Sequence, residues 1–301
     1  MFTFFQGLFR RKKMGPVSSS TAVETAPLSA EQLMSVSQVP VKINPPQLIV
    51  SMAQSVGLQR DHNEDTLYAM QAIFADGNAD LPFGIFIVAD GMGGHLNGEI
   101  ASGCAARAMS EYLITKLYTP FLTGRHDVGD RSIQEIMEDA VVEAHRSVLR
   151  NAPGGGTTLT AALVIGDQVT FSHVGDSRAY FLYPDGRSQV VTQDHSLVRR
   201  LQDLGQIDEK EANNHPQRNV LYRALGQSEP FRPDVNTLSL PHIGYMLICS
   251  DGLWGSVPDE EILRIVTESK SLVEGSQGLI EAANAAGGPD NISAVLVKYV
   301  S

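Results

Sequence analysis

The chain has 301 residues and is 43% hydrophobic, which is enough to bury the core of one large domain or two small ones. Its net charge is −11; residues 1–46 are basic with a net charge of +3, and the rest carries 18 basic and 32 acidic side chains, a balance that would repel nucleic acid. Two cysteines argue against a disulfide framework and for a reducing cytoplasm, and no run approaches the ~20 apolar residues of a membrane span.

Residues 1–46 are predicted to be a disordered tail and linker. Aromatic and aliphatic residues in 1–13 precede a basic cluster, the reverse of the order in a secretory signal. Residues 14–46 are rich in Ser, Thr, Ala and Pro. One interpretation of 1–13 is a weak, reversible contact with the inner face of an anionic membrane. The alternative is a disordered start without a partner, in a cytoplasmic protein.

The first predicted strands surround a charged turn. A strand over 48–56 ends at Gly57, and the polar stretch 58–65 separates it from a strand over 66–70. A third, fully apolar strand over 85–88 runs into a glycine-rich loop. These features predict a sheet whose strand ends present polar groups.

Two helices follow the glycine-rich loop. Apolar residues near helical spacing predict a helix over 98–118, and Pro120 is expected in the loop after it. A second helix begins with a capping box formed by Ser132 and Glu135, and it continues with one apolar stripe.

From residue 154 the pattern changes to extended segments with turn residues between them. The predicted strands are 157–165, 169–174, 179–183, 188–192, 235–240, 245–249 and 292–299, and the predicted helices are 259–268 and 271–286. Residues 195–222 are charged and poor in apolar residues, so we expect a mobile flap there. The order of elements predicts an α/β (α+β) sandwich, with two packed antiparallel sheets flanked by helices, over residues 47–301.

Five acidic residues stand at predicted turns or strand ends: Asp65, Asp90, Asp176, Asp251 and Asp290. Strands that end in carboxylates bring those carboxylates to one edge of a sheet, where they must protonate or hold a cation. Oxygen ligands without a His or Cys cluster favour Mg²⁺ or Mn²⁺ over zinc. An ordinary turn is the alternative for any single Asp-Gly pair, here Asp90-Gly91 and Asp251-Gly252.

Other motifs favour structural roles. The run Gly154–Thr158 lacks the Gly-Lys-Ser/Thr ending of a phosphate-binding loop, so we reject that function. Three single histidines show no zinc-ligand spacing and are expected to be structural: His95, His173 and His195. Trp254 is expected in the core.

The acidic residues lie within a set of motifs that resembles a known family. The segments are Arg60–Asp65, Val88–His95, Gly156–Thr158, Val174–Arg178, Cys249–Trp254 and Gly288–Ile292. In this order they resemble the metal-dependent protein phosphatases of the 2C type, across about residues 48–300. Asp90-Gly91-Met92-Gly93-Gly94, followed by Gly98-Glu99, is similar to the bacterial branch in particular.

The resemblance implies a catalytic domain over 47–301 with two cations and a role for each matched residue. Asp90 would bridge the two ions, the Gly91 carbonyl would bind one, and Asp251 and Asp290 would bind the other. Asp65 would act through metal-bound waters, with Glu64 beside it. Arg60 would hold the substrate phosphate. Asp176, together with Asp251, resembles the ligands of a third, weaker site.

The implied activity is hydrolysis of phosphoserine and phosphothreonine on proteins, the substrates of serine/threonine kinases, by a metal-activated water. Eukaryotic members have histidine as the proposed general acid where this chain has Met92, so the acid is unassigned here. Two alternatives are a non-catalytic relative that binds partners, and a phosphatase with one regulatory substrate, such as a phosphorylated anti-sigma-factor antagonist. The matched ligand positions are all filled, which favours catalysis.

Overall fold

The computed structural model of the chain describes residues 43–75, 80–93, 96–124, 131–227 and 231–301. The predictions for the membrane contact of 1–13, for most of the linker and for His95 fall outside the described residues.

The described residues form eleven strands and seven helices in an order close to the predicted one. The strands are β1 (Gln47–Ser55), β2 (Asp65–Ala75), β3 (Asp80–Met92), β4 (Gly156–Thr157), β5 (Leu159–Ile165), β6 (Gln168–Val174), β7 (Arg178–Leu182), β8 (Ser188–Val190), β9 (Asp234–Ser239), β10 (Tyr245–Cys249) and β11 (Ile292–Val300). The helices are α1 (Leu96–Leu113, extended by Ile114–Tyr118 and Thr119–Leu122), α2 (Ile133–Asn151), α3 (Leu197–Asp203), α4 (Glu209–Asn213), α5 (Asp251–Trp254), α6 (Asp259–Glu268) and α7 (Leu272–Ala285).

Two antiparallel sheets pack face to face, as predicted. One has the order β1-β11-β10-β7-β8, and the other has the order β2-β3-β5-β6-β9, with β4 paired to β3. Between them lies an apolar layer to which both sheets contribute, for example Phe86 and Val88 from β3 and Ile248 and Val295 from the facing strands. Burial of this layer is the main favourable term in joining the sheets.

Helices cover both outer faces because the central strands are apolar on both sides. In β3 the side chains of Ile85, Ile87 and Ala89 point away from the sandwich interior and pack with α1 and α2. The outer face of the other sheet is covered by α5, α6 and α7. A strand buried on both faces appears in the sequence as a continuous apolar run, as the segment 85–88 does.

The helix ends show one confirmed prediction and one error. The capping box at Ser132 is present: its hydroxyl accepts from the Glu135 N–H, and the Glu135 carboxylate accepts from the Ser132 N–H. Pro120, however, lies in the final helical turn rather than in a loop. It is the second residue of the segment Thr119–Leu122, and the helix ends two residues after it. None of the helices among the described residues is long and apolar enough to cross a membrane.

The segment 195–222 contains the short helices α3 and α4, and most of its side chains are exposed or half-buried. His195, at its start, is buried and bonded to the strand end after β6: its N–H donates to the Gly175 carbonyl at 2.7 Å. At its other end the Tyr222 N–H donates to the His195 carbonyl at 2.9 Å. The segment therefore leaves and rejoins the sandwich at one point, and its role as a flap stays a prediction.

Candidate metal centre

Asp65 and Asp90 face each other across two paired strands. Asp65 is the first residue of β2, and the register of the antiparallel pair places it opposite Asp90 in β3. The prediction that the strand stops at Asp90 is wrong, because β3 continues to Met92 by pairing with β4. The Asp90 N–H donates to the Thr158 hydroxyl at 3.0 Å, which fixes the backbone that presents this carboxylate.

Asp251 and Asp290 come from the opposite sheet. Asp290 lies just before β11, and Asp251 follows the neighbouring strand β10. Asp251 is the first residue of helix α5 rather than part of a strand end, so its backbone turns away from the sheet at once. Gly252 is required there, since a Cβ would come within 2.0 Å of the Asn291 carbonyl oxygen.

Two serines that the sequence analysis missed hold Asp65. Ser250 and Ser293 donate their hydroxyl hydrogens to Asp65 Oδ2 at 2.8 and 2.7 Å. Each lies within three residues of a predicted ligand, Asp251 or Asp290, and that adjacency was the available signal. Asp65 Oδ1 and Asp251 Oδ1 are buried and have no hydrogen-bond partner in the described structure. A buried carboxylate oxygen without a partner is costly, and a cation satisfies it.

The carboxylates also repel one another. Burial raises the pKa of Asp65 to about 7, helped by Asp251 and Asp290 and opposed by the two serine hydroxyls. Burial and the charge of Asp290 raise the pKa of Asp251 to about 6. The pKa of Asp90 is also raised, by burial first and then by the neighbouring carboxylates. Near pH 7 the cluster therefore gains stability from either protons or cations.

Asp176 lies beside this cluster, in the connection from β6 to β7. Burial raises its pKa, and the nearby charge of Asp251 is the next cause. Trp254 is half-buried and packs against the core rather than lying fully inside it as predicted, and its indole N–H donates to the Asp176 carbonyl at 2.9 Å.

Glu64 and Gly91 pack tightly next to Asp65 and Asp90. The Gly91 N–H donates to the Glu64 carbonyl at 3.2 Å, and the Glu64 carboxylate lies 3.1 Å from His62 Nε2. A Cβ on Gly91 would come within 2.3 Å of the Gly98 carbonyl oxygen, and a Cβ on Gly98 within 2.7 Å of the Glu64 carboxylate, so glycine at both positions allows this close approach.

Arg60 is at the rim, where its guanidinium pairs with Asp290 at 2.7 Å. Its side chain is 47% exposed, so solvent reaches the pair. Asn291 organises the same loop: its side chain accepts from the Glu64 N–H and donates to the His62 carbonyl. Sequence patterns alone predict no separate role for Asn291.

The structure thus brings all the predicted site residues into one region. Within the described part of the chain, however, no three acidic, histidine or cysteine side chains converge closely enough to enclose an ion as they stand. Two of the predicted ligands already have other partners, since Asp290 is paired with Arg60 and Asp65 with two hydroxyls. His173 and His195 are buried, and their ring nitrogens bond to Thr160, Gln193, the Gly175 N–H and Asp234 rather than to the five predicted acids, in agreement with structural roles.

The sandwich and its carboxylate cluster define the class of protein, a helix-flanked β-sandwich with an acidic centre between its sheets. The model of the protein phosphatase 2C family matches residues 61–290. A "Serine/threonine phosphatase stp" from Listeria innocua is 38% identical over 244 residues, which are 80% of this chain and 92% of that protein.

Solved structures of serine/threonine phosphatases share the fold of this chain. The serine/threonine phosphatase PstP/Ppp of Mycobacterium tuberculosis superposes with a TM-score of 0.68 at 32% identity, covering 83% of this chain and 98% of that one. A PstP catalytic domain in complex with two manganese ions has a TM-score of 0.67 at 30% identity, covering 84% and 99%.

This chain belongs to the protein phosphatase 2C family. The predicted fold and enzyme class, a bacterial-type, metal-dependent protein serine/threonine phosphatase, are confirmed, and phosphorylated proteins are its substrates.

Proposed function

We propose that this chain hydrolyses phosphoserine and phosphothreonine in proteins with two divalent cations, Mn²⁺ or Mg²⁺. The proposed ligands are the carboxylates of Asp90, Asp251 and Asp290 and the carbonyl of Gly91, with Asp65 acting through metal-bound water and Glu64 beside it. The observation that supports this most strongly is the pair of buried carboxylate oxygens, Asp65 Oδ1 and Asp251 Oδ1, without hydrogen-bond partners in the described structure.

The donor set fits a hard cation, because every proposed ligand atom is oxygen. Mutual repulsion raises the pKa of Asp65 and Asp251, after burial itself, and a divalent cation would remove that cost. Binding requires Asp290 to leave Arg60. Because both side chains of this ion pair are partly exposed, breaking the pair costs little free energy.

Bound cations would supply Lewis acidity and lower the pKa of the water that attacks phosphorus. The chain itself contributes orientation. The Ser250 and Ser293 hydroxyls fix Asp65 in one rotamer, and the β2–β3 register fixes Asp90 opposite it. Once released by Asp290, the Arg60 guanidinium can offer two parallel N–H donors to a phosphate and offset charge in the transition state.

A third, weaker cation is proposed at Asp176 and Asp251. These two carboxylates interact, as the contribution of Asp251 to the raised pKa of Asp176 indicates, with burial as the larger cause. Asp251 would then serve both the main centre and this peripheral position.

The protein substrates are proposed to be those of serine/threonine kinases, in the cytoplasm. Residues 47–301 would form the catalytic domain, with 195–222 as a flap beside the site. The aromatic and basic segment 1–13 is proposed to make at most a weak, reversible contact with the inner membrane face. Co-sedimentation with anionic vesicles at low salt tests this: equal recovery of the full chain and residues 47–301 in the supernatant would contradict it.

A phosphopeptide panel assayed with Mn²⁺, with Mg²⁺ and with EDTA tests the catalytic proposal. We expect release of phosphate from phosphoserine and phosphothreonine peptides only with a divalent cation, and its loss in Asp251→Asn. Hydrolysis that persists in EDTA would contradict the metal mechanism. Binding of phosphopeptides without turnover, with Mn²⁺ bound, would instead favour the non-catalytic binding module.

A further inference from the structure

The side chain of Trp254 joins two acidic residues that come from different parts of the fold. Asp176 precedes strand β7, and Asp251 follows its neighbour β10. In the ladder between these strands Arg178 lies opposite Cys249. The same register, continued two residues beyond the ladder, places Asp176 opposite Asp251.

The backbone cannot continue that ladder. Asp251 begins helix α5, and Gly175 before Asp176 has φ of +107°, so both chains leave the extended conformation at this point. A side chain takes over instead: Trp254, at the end of α5, donates its indole N–H to the Asp176 carbonyl at 2.9 Å. This hydrogen bond connects the helix that contains Asp251 to the backbone of Asp176.

Arg178 fixes the indole in place. Its guanidinium carbon lies 3.6 Å from the centre of the Trp254 ring, a close cation–π contact. The edge of the same guanidinium binds Asp194 through Nε and Nη2, at 3.0 and 2.7 Å. The Asp194 side chain is only 8% exposed, so this ion pair is well shielded from solvent.

We propose that Trp254 is a positioning residue which, held by Arg178 and Asp194, sets the separation of Asp176 and Asp251 and thereby the affinity of the weaker cation position. This Trp254 clasp (Trp254, Arg178 and Asp194) rests on the proposed function, because it requires that Asp176 and Asp251 share a cation. The Trp254 N–H binds the backbone of Asp176, which is a proposed ligand of the weaker position alone, so loss of this bond should act on that position.

The test is a Mn²⁺ titration of the full chain in which free Mn²⁺ is measured by electron paramagnetic resonance, with no substrate present. Wild type is expected to show a tighter step and a weaker step. Trp254→Phe keeps a ring under Arg178 but removes the N–H, and it should weaken the weaker step about five- to tenfold, as expected for one lost hydrogen bond. The tighter step should stay unchanged.

Tyr183→Phe is the matched control, because it also removes one polar hydrogen from a ring that lies under an arginine, here Arg187, and neither residue belongs to the clasp. Its titration should match wild type. If Trp254→Phe also matches wild type, or if Tyr183→Phe weakens the same step equally, the clasp is wrong. Should Trp254→Phe fail to fold by circular dichroism, Asp194→Asn decides, with a weakened second step supporting the clasp and an unchanged one refuting it.

Trp254 is the only tryptophan of the chain, so its fluorescence gives an independent readout. Quenching by paramagnetic Mn²⁺ should follow the weaker step in wild type and should be lost from that step in Asp176→Asn. A wild-type protein with the tighter step but no weaker one would overturn the clasp and leave the two-cation proposal intact. A wild-type protein without either step would overturn both.

Discussion

Two buried clusters of titratable side chains lie on either side of Gly175, and they differ in how their polar atoms are satisfied. In the acidic cluster, Asp65 and Asp251 each keep one buried oxygen without a partner among the described residues. In the histidine pair, His173 Nε2 donates to the Gln193 carbonyl, and His195 Nδ1 accepts from the Gly175 N–H. A shifted pKa occurs in both clusters, so it does not by itself identify a functional site. The acidic cluster is distinguished instead by like charges that lie together with buried oxygens left without partners among the described residues.

The largest effect should come from Asp251→Asn, which removes a proposed ligand from the acidic cluster. We expect kcat/KM for phosphopeptides with Mn²⁺ to fall at least about a hundredfold, because several kcal/mol of transition-state stabilisation are lost. Stability of the metal-free protein should be unchanged or higher, since one repelling charge is gone. Activity within a factor of about ten of wild type would contradict the two-cation assignment.

His173→Gln should lower the stability of the protein and leave its activity almost unchanged, the reverse of Asp251→Asn. The variant disturbs hydrogen bonds to Thr160 and Gln193 in a buried position, so unfolding free energy should fall by about 1–3 kcal/mol. Turnover of p-nitrophenyl phosphate by the folded fraction should change little. Urea unfolding and the Mn²⁺-dependent assay measure the two quantities, and a loss of turnover without a loss of stability would place His173 in the site.

The pH dependence of the unfolding free energy should also distinguish the histidine pair from the acidic cluster. Burial lowers the pKa of His173 from 6.5 to about 4, so the unfolded chain binds a proton more readily than the folded one. The stabilisation from neutral His173 is complete above pH 6.5 and is lost as pH falls towards 4, by up to about 3 kcal/mol. Comparing urea midpoints at pH 7 and 5 should show a smaller difference in His173→Gln than in wild type. Equal differences would contradict a buried neutral histidine.

Arg60→Ala tests the proposal that Arg60, which pairs with Asp290 in the acidic cluster, leaves that carboxylate to bind the substrate phosphate. The change should raise KM for phosphopeptides about tenfold, because a charged hydrogen-bonding fork for the phosphate is lost. It should also strengthen Mn²⁺ binding slightly, since Asp290 no longer has a competing cation at 2.7 Å. Arg131→Ala, which breaks a comparable exposed pair with Asp139, is the control and should change neither quantity. Weaker Mn²⁺ binding in Arg60→Ala would show that the arginine organises the carboxylates instead.

The smallest effect should come from the flap. Replacing residues 198–220 with the matching segment of a relative leaves the His195 anchor and the acidic cluster in place. We expect altered preference among phosphopeptides, with turnover of p-nitrophenyl phosphate within about twofold of wild type. Equal changes for both substrates would contradict a role in recognition.

The sequence by itself determined the sandwich, the helix boundaries near the capping box and the identity of the acidic cluster. It could do so because alternating and continuous apolar runs, turn glycines and acids next to apolar runs are local signals. Arg60, Glu64 and Asp176 also lie where the motifs predict, within the same region as the other acids.

The tertiary structure alone decided which polar atoms have hydrogen-bond or ion-pair partners. Ser250 and Ser293 reach Asp65 across more than 180 residues of chain, and the Trp254 indole reaches Asp176 across 78. Pairing Arg60 with Asp290 likewise depends on a contact 230 residues apart. Such contacts depend on how two sheets and a short helix meet, a relation between distant segments that no local pattern of residues specifies.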